Sequence, residues 1–124
     1  MPRAKDATEA DKIGFTKCKN KKWERRYGSH IRIGRRDYTI VFCDMIVDPK
    51  SLERLAGLCD PNNHSIYIDV GSEVESTLLH EICHAEIYEA GFHQREDWDS
   101  NIEEQLVECI SQGIAHAFFL RKRA

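Results

Sequence analysis

The sequence predicts an α+β domain: a small, mainly antiparallel sheet with two helices packed against it. Three observations carry that expectation. Between residues 31 and 70, apolar residues recur at every second position, the period of a half-buried strand. From Val74 onward the apolar period changes to about 3.6, the period of a helix with one buried face. The strand region is broken by turn formers, Gly34-Arg35-Arg36-Asp37 and Asp60-Pro61-Asn62-Asn63.

Taken in order, the first 22 residues are polar and Lys-rich, with only Ile13 and Phe15 to bury. They read as a basic N-terminal arm, either disordered or holding a short helix over residues 7–13, joined to a single domain over residues 23–124. Ile31 and Ile33 alternate with Arg32, and Tyr38-Thr39-Ile40-Val41-Phe42 follows the first turn, so a hairpin is expected. Asp48-Pro49 marks a break. A second strand pair spans residues 52–58 and 65–70, with Ile66, Ile68 and Val70 on one face. Ser72 and Glu75 stand at capping-box spacing and announce the first helix, which Gly91 closes. In the second helix Ile102, Leu106, Val107, Ile110, Ile114, Ala117 and Phe118 form the apolar face. Arg121, Lys122 and Arg123 follow at its C-terminus, where a helix favours cations.

Composition excludes several classes. At 124 residues the chain is one domain, large enough to bury a core without staples. No apolar run reaches the roughly 18–20 residues of a membrane span, and the N-terminal segment lacks a secretion signal's apolar stretch. Five cysteines, an odd number with no CxxC pair, argue against a disulfide framework and for reduced thiols in a cytoplasmic protein. The net charge of −3 is uneven: residues 1–36 hold 12 Lys/Arg against 4 Asp/Glu, and residues 37–124 hold 6 against 17. The basic arm offers weak electrostatic contact with nucleic acid, without the interleaved aromatics of a reading surface.

One constellation carries chemistry. His80-Glu81-Ile82-Cys83-His84 is an HExxH inside the first predicted helix. Residues four apart lie one above the other, so both imidazoles converge on one point at zinc-binding distance. Glu81 projects beside that point, where a carboxylate can act as general base on a water whose pKa zinc lowers to about 7. A catalytic zinc site needs a third protein ligand. Glu104 is favoured, with Glu103 and His93 as alternatives. Glu103 completes a capping box with Ser100, and His93 lies in a polar stretch past the helix end. Glu104 and Glu108 share one helix edge, so one can bind the metal while the other accepts the N–H of a ligating imidazole. Cys83 reads as a small core residue, Trp23 and Trp98 as covers of the core edge, and His116 as a packed histidine.

This arrangement, HExxH, 19 intervening residues, then Glu104-x-x-x-Glu108, resembles the gluzincin pattern of thermolysin-like metallopeptidases. The short chain and the Leu58-Cys59-Asp60 … Ile66-Tyr67-Ile68 hairpin ahead of the motif resemble more closely the ImmA/IrrE family and its small phage-encoded relatives, a minimal zincin-like core. The likeness covers roughly residues 31–118. It departs from that family after the ligand Glu, where Glu108 and Cys109 stand in place of Asn and small residues. The resemblance implies zinc on His80, His84 and Glu104, Glu81 as general base, and Glu108 orienting an imidazole. It implies a peptidase acting on a protein substrate, a repressor or other regulatory protein, in the cytoplasm of the host cell if the chain is phage-encoded. The strand before the motif, residues 65–70, would pair with extended peptide at the cleft edge. An oxyanion donor is needed as well, for which Tyr67, Tyr88, His93 and His116 are candidates. Two other readings differ in class. One is a SprT-like protease acting on DNA-bound proteins, with a third His as ligand. The other is a non-catalytic module in which zinc only staples the fold.

Overall fold

The computed structural model describes residues 14–48 and 50–123, with side chains described through residue 114. The helix expected over residues 7–13 and the side chain of His116 lie outside the described residues. Among those described, five strands form one mixed sheet: β1 (Gly14–Lys17), β2 (His30–Ile33), β3 (Arg36–Val47), β4 (Gly57–Asp60) and β5 (Ser65–Asp69). Three helices accompany it, α1 (Lys22–Tyr27), α2 (Val74–Glu89) and α3 (Ser100–Arg123), so the fold is α+β.

The long strand β3 organises the sheet. β1 and β2 pair antiparallel with its two ends along one edge, while β5 runs parallel along the other, from Thr39 opposite Ser65 to Cys43 opposite Asp69. β4 then pairs antiparallel with β5 and ends the sheet. The sheet is therefore mainly but not wholly antiparallel. β5 is paired on both edges, so its backbone cannot take an extended peptide as expected for residues 65–70. The free edge belongs to β4, because the parallel β3–β5 pairing places β5 in the sheet interior.

Part of the arm belongs to the domain. β1 falls within residues 1–22, and the boundary drawn at residue 23 cuts through α1. Phe15 packs on Tyr67 with ring centroids 4.9 Å apart, and the Cys18 N–H donates to the Phe42 carbonyl at 2.8 Å, which anchors this segment. The strand expected over residues 52–58 forms later, as β4. Asp48 Oδ1 first accepts from the backbone N–H of Lys50, and Leu52 adopts a left-handed φ of 62°, which breaks an extended run.

Alternation along the strands builds two apolar layers. Tyr38, Ile40 and Phe42 of β3, with Ile66 and Ile68 of β5, form the core on which Val74, Leu78 and Ala85 of α2 pack. Trp23 and Tyr27 close the edge of this core, as expected for Trp23. On the opposite face Cys43, Ile46 and Tyr67 form a smaller cluster. Tyr38 ties the core to α2: fully buried, it donates its hydroxyl to Glu89 Oε2 at 2.6 Å. A hydrogen bond to a charged acceptor contributes about 1.5–3 kcal/mol. Tyr38→Phe is therefore expected to lower the unfolding free energy by that amount, read as a lower urea midpoint at an unchanged m-value.

The helix starts differ from the capping boxes the sequence suggests. The Ser72 hydroxyl donates to the Asp69 carbonyl, and Glu75 accepts from Tyr27, so α2 begins at Val74 without a side-chain cap. At α3 the cap is Asp99, whose Oδ1 accepts from the Ile102 N–H at 2.9 Å, and this leaves Glu103 free. α2 does stop where expected, with Gly91 at a φ of +85° that favours glycine. The apolar face of α3 is only partly covered. Val107 and Ser111 are buried, but Ile102, Leu106, Ile110 and Ile114 are 40–46% exposed. Among the described residues α3 packs chiefly on α2, and a ridge at four-residue spacing stays open along its flank.

Candidate metal centre

The site is built where α2 and α3 run side by side in opposite directions. The four-residue spacing in α2 stacks His80 and His84 with ring centroids 5.0 Å apart. On α3, Glu104 reaches both rings: its carboxylate lies 2.8 Å from His84 Nε2 and 3.5 Å from His80 Nε2. Ligand atoms of His80, His84 and Glu104 all fall within 4.8 Å of one another, so this group could hold a metal ion.

The other nitrogen of each ring also faces an acid. His84 Nδ1 lies 2.5 Å from Glu103 Oε2, and the second oxygen of Glu103 accepts from Trp98 Nε1 at 3.0 Å. Glu103 is thereby fixed between an indole and an imidazole. With a metal bound, this contact would hold the His84 proton on Nδ1 and leave the Nε2 lone pair for the ion. His80 Nδ1 lies 3.5 Å from Glu108 Oε2, a looser ion-pair distance, while Gln112 donates to the other Glu108 oxygen at 3.0 Å.

Glu81 points to the inner side of the group. It is 7% exposed, and among the described residues no hydrogen bond offsets its burial. Burial pushes its carboxyl up to about 7; His84 opposes that rise and Glu104 adds to it. Glu81, Glu103, Glu104 and Glu108 thus crowd four carboxylates around two imidazoles, a surplus of negative charge that a divalent cation offsets. The donor set of two imidazole nitrogens and one carboxylate suits a divalent transition-metal ion, zinc among them, so the residues fit such an ion. Cys59 lines the same cleft but stays a thiol, since burial and the Glu81 carboxylate raise its pKa to about 12.

No family model matches this chain, and neither a curated protein nor a solved structure does. Its own geometry therefore describes the centre. Of the residues the sequence singles out, His80, Glu81, His84, Glu104 and Glu108 come together. His93 does not join them: it lies in the 3-10 turn Phe92–Gln94 with its ring stacked on Tyr88 at 4.0 Å. Of the candidate oxyanion donors, Tyr88 lines the cleft, whereas Tyr67 is buried in the smaller core cluster. Trp98, expected to cover the core edge, supports Glu103 instead.

The sequence reading misses two residues. Glu103 is assigned to a cap that Asp99 supplies, although Asp99 itself stands as a ready cap before Ser100. Gly57 of β4 carries no motif, yet it faces α2 so closely that an added Cβ would sit 2.7 Å from Thr77 Cγ2 and 3.1 Å from Glu81 Oε2. Only glycine lets the edge strand approach the centre this closely. Gly57→Ala is expected to cost about 1–3 kcal/mol from overpacking and to displace β4 from Glu81. A fall in thermal midpoint would register the overpacking, and a crystal structure of the variant the displacement.

Proposed function

We propose that the chain is a zinc-dependent endopeptidase, of the gluzincin type that the ImmA/IrrE resemblance implies, acting on an extended segment of a protein substrate. The observation that carries this reading is the pairing of a three-donor group with a buried, unpartnered Glu81 in a cleft beside the free edge of β4. His80, His84 and Glu104 would hold zinc. When bound, the ion supplies Lewis acidity that polarises a carbonyl and lowers the pKa of water to about 7.

The remaining steps belong to the protein. Glu81 takes the proton of the attacking water at its carboxylate and returns it to the leaving amine. Glu103 holds the His84 ring and its tautomer, and Glu108 plays the looser counterpart at His80. Tyr88, whose hydroxyl now donates to Asn62 Oδ1 at 3.3 Å, stands in the cleft as the donor to the developing oxyanion. The backbone of β4 offers the hydrogen-bonding edge that β5 cannot.

Cysteines that are free among the described residues agree with a cytoplasmic setting. No helix among the described residues is long and apolar enough to cross a membrane. By resemblance the substrate class is a repressor or regulatory protein, and the basic stretch over residues 17–26 adds weak contact with nucleic acid. The test is digestion of a mixed peptide library by zinc-loaded protein with and without a chelator, read by mass spectrometry. New termini that vanish on chelation and return with zinc are expected. A library left uncut under all three conditions would contradict the proposal.

A further inference from the structure

Two cavities meet at the centre and share Gly57, His80 and Glu81 as their common wall. They differ in chemistry. The one of about 440 Å³ extends past His84 and is faced by Leu55, Leu58, Pro61 and Tyr88 together with the acids Asp48, Glu103 and Glu104. The one of about 260 Å³ lies on the opposite side and is faced by Ser76, Thr77, Glu108, Ser111 and Gln112.

The hydrogen bonds of the smaller cavity show what it lacks. Ser76 Oγ donates to the Glu73 carbonyl at 3.2 Å, and Ser111 Oγ donates to the Glu108 carbonyl at 3.4 Å. Ser72 gives its proton to the Asp69 carbonyl at 2.6 Å, so in the 3.1 Å contact between Ser72 and Thr77 the Thr77 hydroxyl is the donor. All three hydroxyl protons are therefore engaged, and what remains for a ligand is lone pairs. Gln112 gives an N–H to Glu108 Oε1. Glu81, buried and without a hydrogen-bond partner among the described residues, completes the acceptor wall. Among the described residues no Lys or Arg faces this cavity. It is a nest of acceptors with two carboxylates, and the side chains that satisfy it are those with several N–H donors and a positive charge.

We propose that this cavity is a specificity subsite for a lysine or arginine side chain adjacent to the scissile bond. The inference rests on the peptidase reading for the word scissile, but the acceptor cavity is a feature of the fold itself.

Two arms separate failure of the subsite from failure of the catalytic reading. In the first, the unchanged protein, freed of zinc so that no peptide is cut, is titrated, by fluorescence anisotropy, with labelled alanine-leucine nonapeptides carrying a central lysine, a central norleucine, or the same lysine moved to the N-terminus. The central lysine peptide is expected to bind at least tenfold tighter than either control, since the moved lysine matches net charge. In Gln112→Lys, likewise freed of zinc, a cation placed in the cavity is expected to erase that preference. Equal binding of all three peptides, or a preference that survives Gln112→Lys, overturns the subsite. In the second arm, unchanged zinc-loaded protein cuts a mixed library, and Lys and Arg are expected to be enriched about tenfold at one position flanking the cut. Cleavage with no such enrichment overturns the subsite and leaves the peptidase reading standing. Lysine-selective binding without any cleavage supports the subsite and removes the peptidase reading.

Discussion

Replacing Glu81 with Gln is expected to slow peptide hydrolysis by about 10²–10⁴-fold, the contribution a positioned general base typically makes. Zinc content and thermal midpoint should hold, because the substitution preserves shape and Glu81 is not one of the three converging donors. The carboxylate is suited to the task by its surroundings. It is buried beside His84 and Glu104, with no hydrogen bond to hold its charge, so a proton delivered to it is held rather than shed at once. Kinetics on a cleaved library peptide, paired with elemental analysis of the same sample, make the check. Full activity in the Gln variant would place the proton transfer elsewhere.

Removing Glu104 is expected to empty the centre. Both Nε2 atoms face its carboxylate, at 3.5 Å from His80 and 2.8 Å from His84. Glu104→Ala should therefore retain little or no zinc after dialysis and lose hydrolysis with it, while α2 and α3 stay packed through Val107 and Ser111. Glu103→Gln gives a graded contrast. It removes the charged acceptor of the His84 N–H without touching a proposed ligand, and such outer partners typically account for 10–100-fold in metal affinity. Competition with a chromophoric chelator measures all three proteins on one scale. Equal affinity for the unchanged chain and Glu104→Ala would remove that ligand assignment.

The local half of this structure is legible in the sequence, and the non-local half is not. HExxH can be read because a four-residue helical spacing fixes the direction of both rings wherever the helix packs. Glu104 can be read once the second helix is placed, since it shares an edge with Glu108 beside the apolar stripe. Glu103 hides behind Ser100-x-x-Glu103, a spacing that satisfies a capping box equally well. Only the approach of Trp98 and His84 decides its role. Strand positions follow from alternation, but strand order does not. The parallel seating of β5 on β3 joins segments whose pairing no turn dictates, and it moves the free edge from β5 to β4. Periodicity likewise marks Ile102, Leu106, Ile110 and Ile114 as one face without showing whether anything covers it. The close approach at Gly57 has no local signature at all, because its cause is Thr77 and Glu81, about twenty residues away in the chain.

Crystals of the zinc-loaded protein, measured on both sides of the zinc absorption edge, put the whole account to one observation. A single anomalous peak within coordinating reach of His80, His84 and Glu104, about 2.0–2.2 Å from each donor atom, is the result expected. A peak elsewhere, or none in protein whose side chains keep the arrangement described, would contradict it.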